Sequence, residues 1–497
     1  MHSCMVYFKS IKKTLTAHHF HFILLLIFFC LNGYRSFFSI VSPIYFLPFF
    51  FAVITVFFVL FYLFRLHYKC AQKAGFTITY LLFIFLFFGN IEDAFALNEI
   101  SVFLSEPKWF LPFLVVLSFF ILYQIKKIRE GHSFHIFLNL SLLTIIGYEL
   151  LMFGFDAYQT SNHKSELVLT PISEKNKMPV YIVVLDEYAG DRVLQTDYQF
   201  NNVYFKDRMT RLGFGDIKQT KSNYPLTVYS IASLLNMDYL PESVLTKKYA
   251  YGYKYGLGAI RNNQLTDIFS HWGYDINNYS FFDMKEAPAF FSNRIWGGGI
   301  RPVTSRCMNV RLYKHFVAFA DKNHFGWFQH FEINHNYKHI FDVLRLTTIR
   351  EIDKGKPSFN YLHFMSPHKP FLFDSVGNKL DKEKLAAYDQ NDLQQKAYIW
   401  SVKKLNQLIF EWSKSIINKH NGNVVILILS DHGPYLKKLK ARSLDNLCLV
   451  YSPSGNYEAW YSGITNVNQG RILLNQIFNQ NISLLKDTSF QLKTKDD

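Results

Sequence analysis

The sequence is poor in cysteine and in charge. Its five cysteines include no Cys-x-x-Cys pair, which argues against a thiolate zinc module. Cys4, Cys30 and Cys70 lie in or beside apolar stretches. Cys307 and Cys448 can pair in an oxidising compartment, though nothing in their spacing requires it. Only 18% of the 497 residues are charged. No repeat of 20–50 residues and no low-complexity tract is present, so a solenoid or array is excluded. The net charge is +15, but the basic residues are scattered and no nucleic-acid recognition motif accompanies them, which argues against a nucleic-acid partner. Residues 1–155 contribute about +5 of that charge and the remainder about +10. This suits either a solvated basic surface or attraction of anionic lipid and phosphate.

What is abundant is aromatic: 51 Phe and 31 Tyr, with the apolar excess concentrated in the first third. Five apolar stretches follow one another, at 18–33, 42–64, 75–91, 109–125 and 134–155. Each is near the roughly 20 residues that cross a hydrocarbon core. Lys9, Lys12 and Lys13 precede the first, as in a signal peptide. Bulky Phe28 and Phe29 before Cys30 oppose cleavage there, and four further apolar segments indicate a polytopic anchor. The N-terminal tail, the 65–73 loop (Arg65, Lys69, Lys73) and the 126–130 loop (Lys126, Lys127, Arg129) are basic. The loop at 92–106 holds Glu92, Asp93, Glu99 and Glu106. The positive-inside rule puts the basic loops in the cytoplasm, so an odd number of spans delivers everything after residue 155 to the other side. The reading is a transmembrane anchor domain over 1–155, a polar linker over 156–178 (with the run Thr160 to Lys164), and an extracytoplasmic domain over 179–497.

That last domain reads as α/β. Val180–Leu185 and Val424–Leu429 are apolar at every position, as in central strands of a mainly parallel sheet covered on both faces. Residues 392–418 have helical spacing between apolar runs. The stretch 240–350 has no order legible from its pattern. In such sheets ligands gather beyond the carboxyl ends of strands, and there the chemistry-bearing residues cluster. Asp186 and Glu187 end the first run; a carboxylate there is costly unless paired or bound to metal, and a helix N-cap is the bland alternative. Ser222-Asn-Tyr-Pro-Leu-Thr227 precedes an apolar helical pattern (Ile231, Leu234, Leu235). Thr227 falls at the helix start, where it caps or presents its hydroxyl beside amides that bind phosphate. His363-Phe-Met-Ser-Pro-His368-Lys369-Pro370 ends a third apolar run. Ser430-Asp431-His432-Gly433 puts a hard and a borderline ligand side by side at a strand end, with Gly allowing a tight exit. Four such segments in this order favour a divalent metal site over four separate structural roles.

This order resembles that of the alkaline-phosphatase/sulfatase superfamily. Within it the layout is similar to the lipid A phosphoethanolamine transferases and lipoteichoic acid synthases, which place a catalytic domain outside the membrane after five spans. The run Ser222-Asn-Tyr-Pro-x-Thr, Leu235-Asn-Met-Asp-Tyr-Leu240 and Asn466-Val-Asn468 with Arg471 and Asn475 resembles the sulfatase-like hydrolase/transferase proteins. The resemblance implies an α/β alkaline-phosphatase-like domain and an inner-membrane, multi-pass bacterial protein with a periplasmic catalytic side. It makes Glu187 a metal ligand with Asp186 as a second, Asp431 and His432 the rest of the metal shell, and Thr227 the nucleophile. His368, with His363, would contact substrate or a second cation; Lys369 or Arg442 would bind phosphate.

The chain departs from the family too. The Cys/Ser-x-Pro-x-Arg motif that matures to formylglycine in true sulfatases is missing: Thr227 holds that place, and Cys307-Met-Asn-Val-Arg311 lacks the Pro. The transferases follow Asp-His-Gly with Glu, where this chain has Pro434, and no His follows His432 in the sequence. The implied reaction is metal-dependent transfer of a phospho-group, of phosphoethanolamine or glycerophosphate type. It would pass from a phospholipid donor through a covalent Thr227 intermediate to an envelope glycan or lipid acceptor, with His368 as general acid. Two carboxylates and one imidazole suit one zinc or manganese ion equally. Water as acceptor would make a hydrolase of the same site, and a non-catalytic envelope protein would keep the fold without the metal. A transporter reading finds few charges within the spans.

Overall fold

The computed structural model describes residues 20–38, 40–96, 102–128, 132–161, 167, 169–174, 177–246, 249–285, 287–291, 299–322, 327–350, 356–380, 391–436 and 441–491. Cys4, Lys9, Lys12, Lys13, Glu99, Arg129 and Lys164, on which the orientation and linker readings drew, lie outside them. The chain forms two compact units: the described residues before 166 together with Gly299–Phe319, and the rest.

The first unit is helical. His21–Phe37, Phe46–Tyr68, Ala71–Ala96, Pro107–Lys127 and His132–Ser161 are helices that coincide with the five apolar stretches. Among the described residues, four helices are long and apolar enough to cross a membrane (Pro43–Tyr68, Ala71–Phe95, Pro107–Lys127, Ser133–Phe155), while His21–Phe37 is a shorter apolar helix. Their outward faces carry large exposed apolar side chains such as Phe119 and Leu151, 72% and 77% exposed. A water-facing bundle would bury them; lipid removes the penalty. Polar groups turn inward in pairs, as membrane helices require. Arg35 Nε and Asn32 Nδ2 both donate to the Glu149 carboxylate, at 2.6 and 3.0 Å, and His21 Nε2 lies 2.7 Å from His135 Nδ1. Gly299–Phe319, from the stretch without a legible pattern, packs within this unit. Arg311 Nη2 donates to both Asp93 carboxylate oxygens, at 2.7 and 2.8 Å, and Gly89 N donates to the Arg306 carbonyl at 2.8 Å.

The second unit is built on a six-stranded sheet of order β2-β8-β5-β1-β4-β3. The strands are β1 Val180–Leu185, β2 Gly215–Asp216, β3 Asp275–Tyr279, β4 Ser358–Phe364, β5 Val425–Leu429 and β8 Cys448–Tyr451; β6 Tyr435–Leu436 and β7 Ala441–Arg442 form a separate hairpin. The β1, β3, β4 and β5 strands run parallel, as expected, while β8 and β2 are antiparallel additions, making the sheet mixed but mostly parallel. The reason is local: no crossover helix lies between β5 and β8 among the described residues, so the returning strand must reverse direction.

Burial of both faces explains the uninterrupted apolar runs. Val180, Ile182 and Val184 of β1 pack with Ile231, Leu234 and Leu235 of the helix Thr227–Asn236. Tyr181, Val183 and Leu185 point the other way, onto Val402, Leu405, Ile409 and Trp412 of the 29-residue helix Asn391–Lys419. Each alternate side chain thus belongs to a different core, the period-2 signature of a strand. The edge strand β3 reads Asp-Ile-Asn-Asn-Tyr, and its Asn277 Nδ2 donates to Asn360 Oδ1 at 3.0 Å. Its polar composition hid it from the hydrophobic pattern.

The helix Asn466–Phe478 holds the C-terminal segment in place. Asn468 Nδ2 donates to the Leu485 carbonyl at 2.7 Å and Asn475 Nδ2 to that of Ile482 at 2.8 Å. Arg471 Nη1 donates to the Ser483 carbonyl at 2.6 Å, and its Nε to that of Met237 at 2.7 Å. Met237 closes the Thr227–Asn236 helix in the left-handed conformation, φ 53°, so a cation sits where the helix presents unsatisfied carbonyls. Arg471→Ala strands the buried Met237 carbonyl and frees that of exposed Ser483 from its tie to the helix. We expect the full-length protein in detergent to lose roughly 2–4 kcal/mol, read as a lower thermal midpoint; an unchanged midpoint would show that water replaces the guanidinium without cost.

Candidate active site

The β1 and β5 strands are hydrogen-bonded neighbours, with Val184 opposite Leu429, so the residues just past their ends are brought together. Asp186 follows β1 directly; Ser430, Asp431 and His432 follow β5. Among the described residues, one group of potential ligands stands out: Asp186, Asp431 and His432 each offer an atom within 4.8 Å of the others. All three residues are fully buried. Both carboxylate oxygens of Asp186 and Oδ2 of Asp431 lack a hydrogen-bond partner among the described residues. His363 Nε2 lies 3.5 Å from Asp186 Oδ2, too long for a good hydrogen bond. Buried carboxylate oxygens left bare cost several kcal/mol apiece unless a cation joins them (roughly, by the desolvation of one ion).

The pair divides its ionisation unequally. Burial acts to raise the Asp186 carboxyl, but the neighbouring His368 and then His363 outweigh it and hold it down at about 2. The Asp431 carboxyl is raised, first by burial and then by the charge of Asp186. His432 Nδ1 faces the Gly433 carbonyl at 2.9 Å and must donate to it, which leaves the Nε2 lone pair free for a ligand. That Nε2 stands 3.2 Å from Asp431 Oδ2 and 3.2 Å from Thr227 Oγ1. Thr227 is the first helical residue, Leu226 being the cap. Its hydroxyl therefore meets His432 instead of capping the helix.

Glu187 is placed differently from Asp186. Its φ of 61° is left-handed, strained for a non-glycine residue and frequent at functional sites. Its amide donates to Asp431 Oδ1 at 3.1 Å. Its carboxylate accepts a hydrogen bond from Arg442 Nη1 and lies 3.6 Å from His368 Nε2. Arg442 arrives on β7 because the chain turns back immediately after Gly433. Gly433 N donates to Ser443 O at 2.8 Å, and a Cβ on Gly433 would meet Ser443 Cβ at 2.8 Å and Asp445 O at 2.9 Å. That close approach requires glycine.

The remaining predicted residues divide by exposure. His363, in β4, is fully buried, its Nδ1 3.1 Å from Tyr361 OH and its ring 4.7 and 5.6 Å from those of Phe281 and Phe282. It faces Asp186, with no surface for substrate. His368 is partly exposed beside Glu187. Lys369 turns to Gln394 Oε1, 2.7 Å away. Ser230, which closes the Thr-x-x-Ser helix start, Asn446, which sequence reasoning passed over, and Asn466 collect around the Ser430 and Asp431 carbonyls. A polar residue at i+3 from Thr227 on an apolar helix was the available signal.

A family model described as "Sulfatase" matches residues 217–469, just over half of the chain. The chain belongs to the sulfatase family. The matched span of this sulfatase-family enzyme holds Thr227, Asp431 and His432; Asp186 and Glu187 precede it. No protein of curated function matches. Among solved structures, the C-terminal periplasmic domain of phosphoethanolamine transferase EptC from Campylobacter jejuni is similar at 11% identity, over 62% of this chain and 92% of that one, with a TM-score of 0.37. The integral membrane lipooligosaccharide phosphoethanolamine transferase A from Neisseria meningitidis is similar at 12% identity, over 94% and 95% of the two chains, also with a TM-score of 0.37. At scores of this size the family assignment rests on the sequence match.

Enzymes of this family hold a metal, and the bare oxygens of Asp186 and Asp431 with the open Nε2 of His432 fit a divalent cation. Without it the two carboxyls have opposite pH signatures. Asp431, raised in the folded state, stabilises below the unfolded value near 3.9 and loses that contribution as pH rises through its folded value. Asp186, depressed, contributes above the unfolded value and loses it only as pH falls through about 2. We therefore expect metal-free Asp431→Asn to be more stable than the parent at pH 7 by on the order of 1–3 kcal/mol. The difference should close toward pH 4, and added metal should give the variant no thermal shift. A variant less stable than the metal-free parent at pH 7 would contradict the repulsion.

Proposed function

We propose that this sulfatase-family enzyme transfers a phospho-group, of the phosphoethanolamine or glycerophosphate type, from a phospholipid to an acceptor hydroxyl in the cell envelope. The observation carrying the reading is the Thr227 hydroxyl 3.2 Å from His432 Nε2, at the start of a helix and beside the bare carboxylates of Asp186 and Asp431. Asp186, Asp431 and His432 would hold one divalent ion, zinc or manganese, with Glu187 at its edge. When bound, such an ion supplies Lewis-acid polarisation of a phosphoryl oxygen and eases loss of a proton from a neighbouring hydroxyl.

Thr227 Oγ1 attacks phosphorus as the bond to the lipid alcohol breaks; the Thr227 proton passes to solvent, and His368 delivers a proton to the leaving oxygen. The acceptor hydroxyl then displaces Thr227 by the reverse route, so the hydroxyl is restored and one phosphoester replaces another. Arg442, with its guanidinium already on a carboxylate, is suited to exchange Glu187 for a phosphate; Lys369 is a second candidate from the opposite loop. The anchor tethers the catalytic domain to a bilayer that carries a lipid donor, raising the donor's effective concentration; a hydrolase would share this first half-reaction and differ only in taking water as acceptor.

The division we infer is an anchor of five spans over 1–155, a linker over 156–178 and a catalytic domain over 179–497 on the periplasmic side of a bacterial inner membrane. It is supported by the basic loops at 65–73 and 126–130 and the acidic one between them. It takes the shorter apolar helix His21–Phe37 as the remaining span.

Two measurements test the reading. Intact mass of the full-length protein, incubated with zinc or manganese and mixed phospholipids, should show an adduct that Thr227→Ala lacks, its added mass naming the group. Donor consumed equally by parent and variant would remove Thr227 from the chemistry. For topology, Cys70, partly exposed between two spans, should take a membrane-impermeant maleimide only after cells are opened. Labelling of Cys70 in intact cells would invert the orientation.

A further inference from the structure

The run Asn466-Val-Asn468 has a use that no catalytic step draws on. Asn466 begins its helix and is 1% exposed. Its Nδ2 lies 3.1 Å from the Ser430 carbonyl, 3.3 Å from that of Asp431 and 3.4 Å from Ser230 Oγ. Its Oδ1 accepts from Asn446 Nδ2 at 3.0 Å, and Asn446 Nδ2 also reaches the Ser430 carbonyl at 3.0 Å. Ser230 Oγ donates to the Asp431 carbonyl at 2.6 Å. Ser230 lies three residues after Thr227, so both are on one face of that helix.

The two carbonyls flank Asp431 and immediately precede His432, past the last ladder bonds of β5. A strand end normally leaves such groups to water; here three side chains from three elements satisfy them. Asn466 is the joint, because among the described residues it alone contacts the Asp431-His432 turn, the Thr227 helix and Asn446 together. We propose that Asn466 is a positioning residue that locks the Asp431-His432 turn onto the Thr227 helix, presetting the spacing between the metal ligands and the nucleophile. The inference rests on the metal reading above. Ligands that are not pre-placed must be ordered when the ion binds, which weakens affinity; loss of an outer-shell partner typically costs about 10–100-fold.

Asn468 provides the matched control. It is in the same helix and equally buried, but holds the Leu485 carbonyl and Asp487 of the C-terminal segment. Full-length parent, Asn466→Ala, Ser230→Ala and Asn468→Ala in detergent would be titrated calorimetrically with zinc and with manganese, and their metal-free thermal midpoints measured. The expected result is at least tenfold weaker metal binding (the lower end of the outer-shell range) in Asn466→Ala and Ser230→Ala. Asn468→Ala should bind as the parent does despite a lowered midpoint. Metal affinity of Asn466→Ala within twofold of that of Asn468→Ala (about the noise of the titration) would overturn the proposal. Should Asn466→Ala not fold, Ser230→Ala decides alone. A parent that binds neither ion overturns the metal reading and this inference together, whereas a parent that binds beside an unimpaired Asn466→Ala overturns this inference only.

Discussion

The mutual repulsion of two buried carboxylates organises this molecule. Asp186 and Asp431 stand at the ends of adjacent strands, both fully inaccessible, in a medium where opposed charges are screened far less than in water. Every nearby feature answers that repulsion. His363 and His368 lower the Asp186 carboxyl, Asp431 is pushed toward its proton-bound form, and the His432 tautomer leaves a lone pair facing the same point. A fold selected for stability alone would place apolar side chains here, since replacing buried ions by packed hydrocarbon is commonly neutral or favourable. Keeping the charges makes sense only if a cation completes them.

The parts of this arrangement legible in the sequence were those that obey a period or end a run. The β1 strand was readable because all six residues are apolar, and the ligand turn because Asp-His-Gly ends an equally apolar one. The five helices of the first unit were readable from length and hydropathy. What stayed hidden depends on distance in the chain. β3 is an edge strand with an aspartate and two asparagines among its five residues; Gly299–Phe319 belongs to the helical unit through Arg311 and Asp93, an ion pair no local pattern announces. Glu187 stands apart from the group of Asp186, Asp431 and His432, its left-handed φ carrying the side chain to Arg442. Sequence cannot reveal such a flip, because glutamate is not a residue that seeks that conformation.

The sheet's mixed character has a related cause. Parallel strands need long connections, and β1, β4 and β5 are separated by the helices that cover both faces. Once the ligand turn had to be followed directly by the hairpin carrying Arg442, no room for a crossover helix remained, and β8 returned antiparallel. The sheet is mainly parallel, as expected, and its antiparallel pairings fall where the turn and hairpin interrupt the regular alternation of strand and helix.

The pairing of β1 with its neighbours also sets a schedule for biogenesis. Glu187, the residue after Asp186, meets Asp431 across 244 positions of sequence. At ordinary rates of synthesis the second half of the site follows the first by on the order of tens of seconds. Until β4 emerges both edges of this wholly apolar strand are bare, and the edge that β5 takes stays open longest. Asp186 by itself lacks the other members of its group. Competence comes late and all at once, when β5 slots in beside β1.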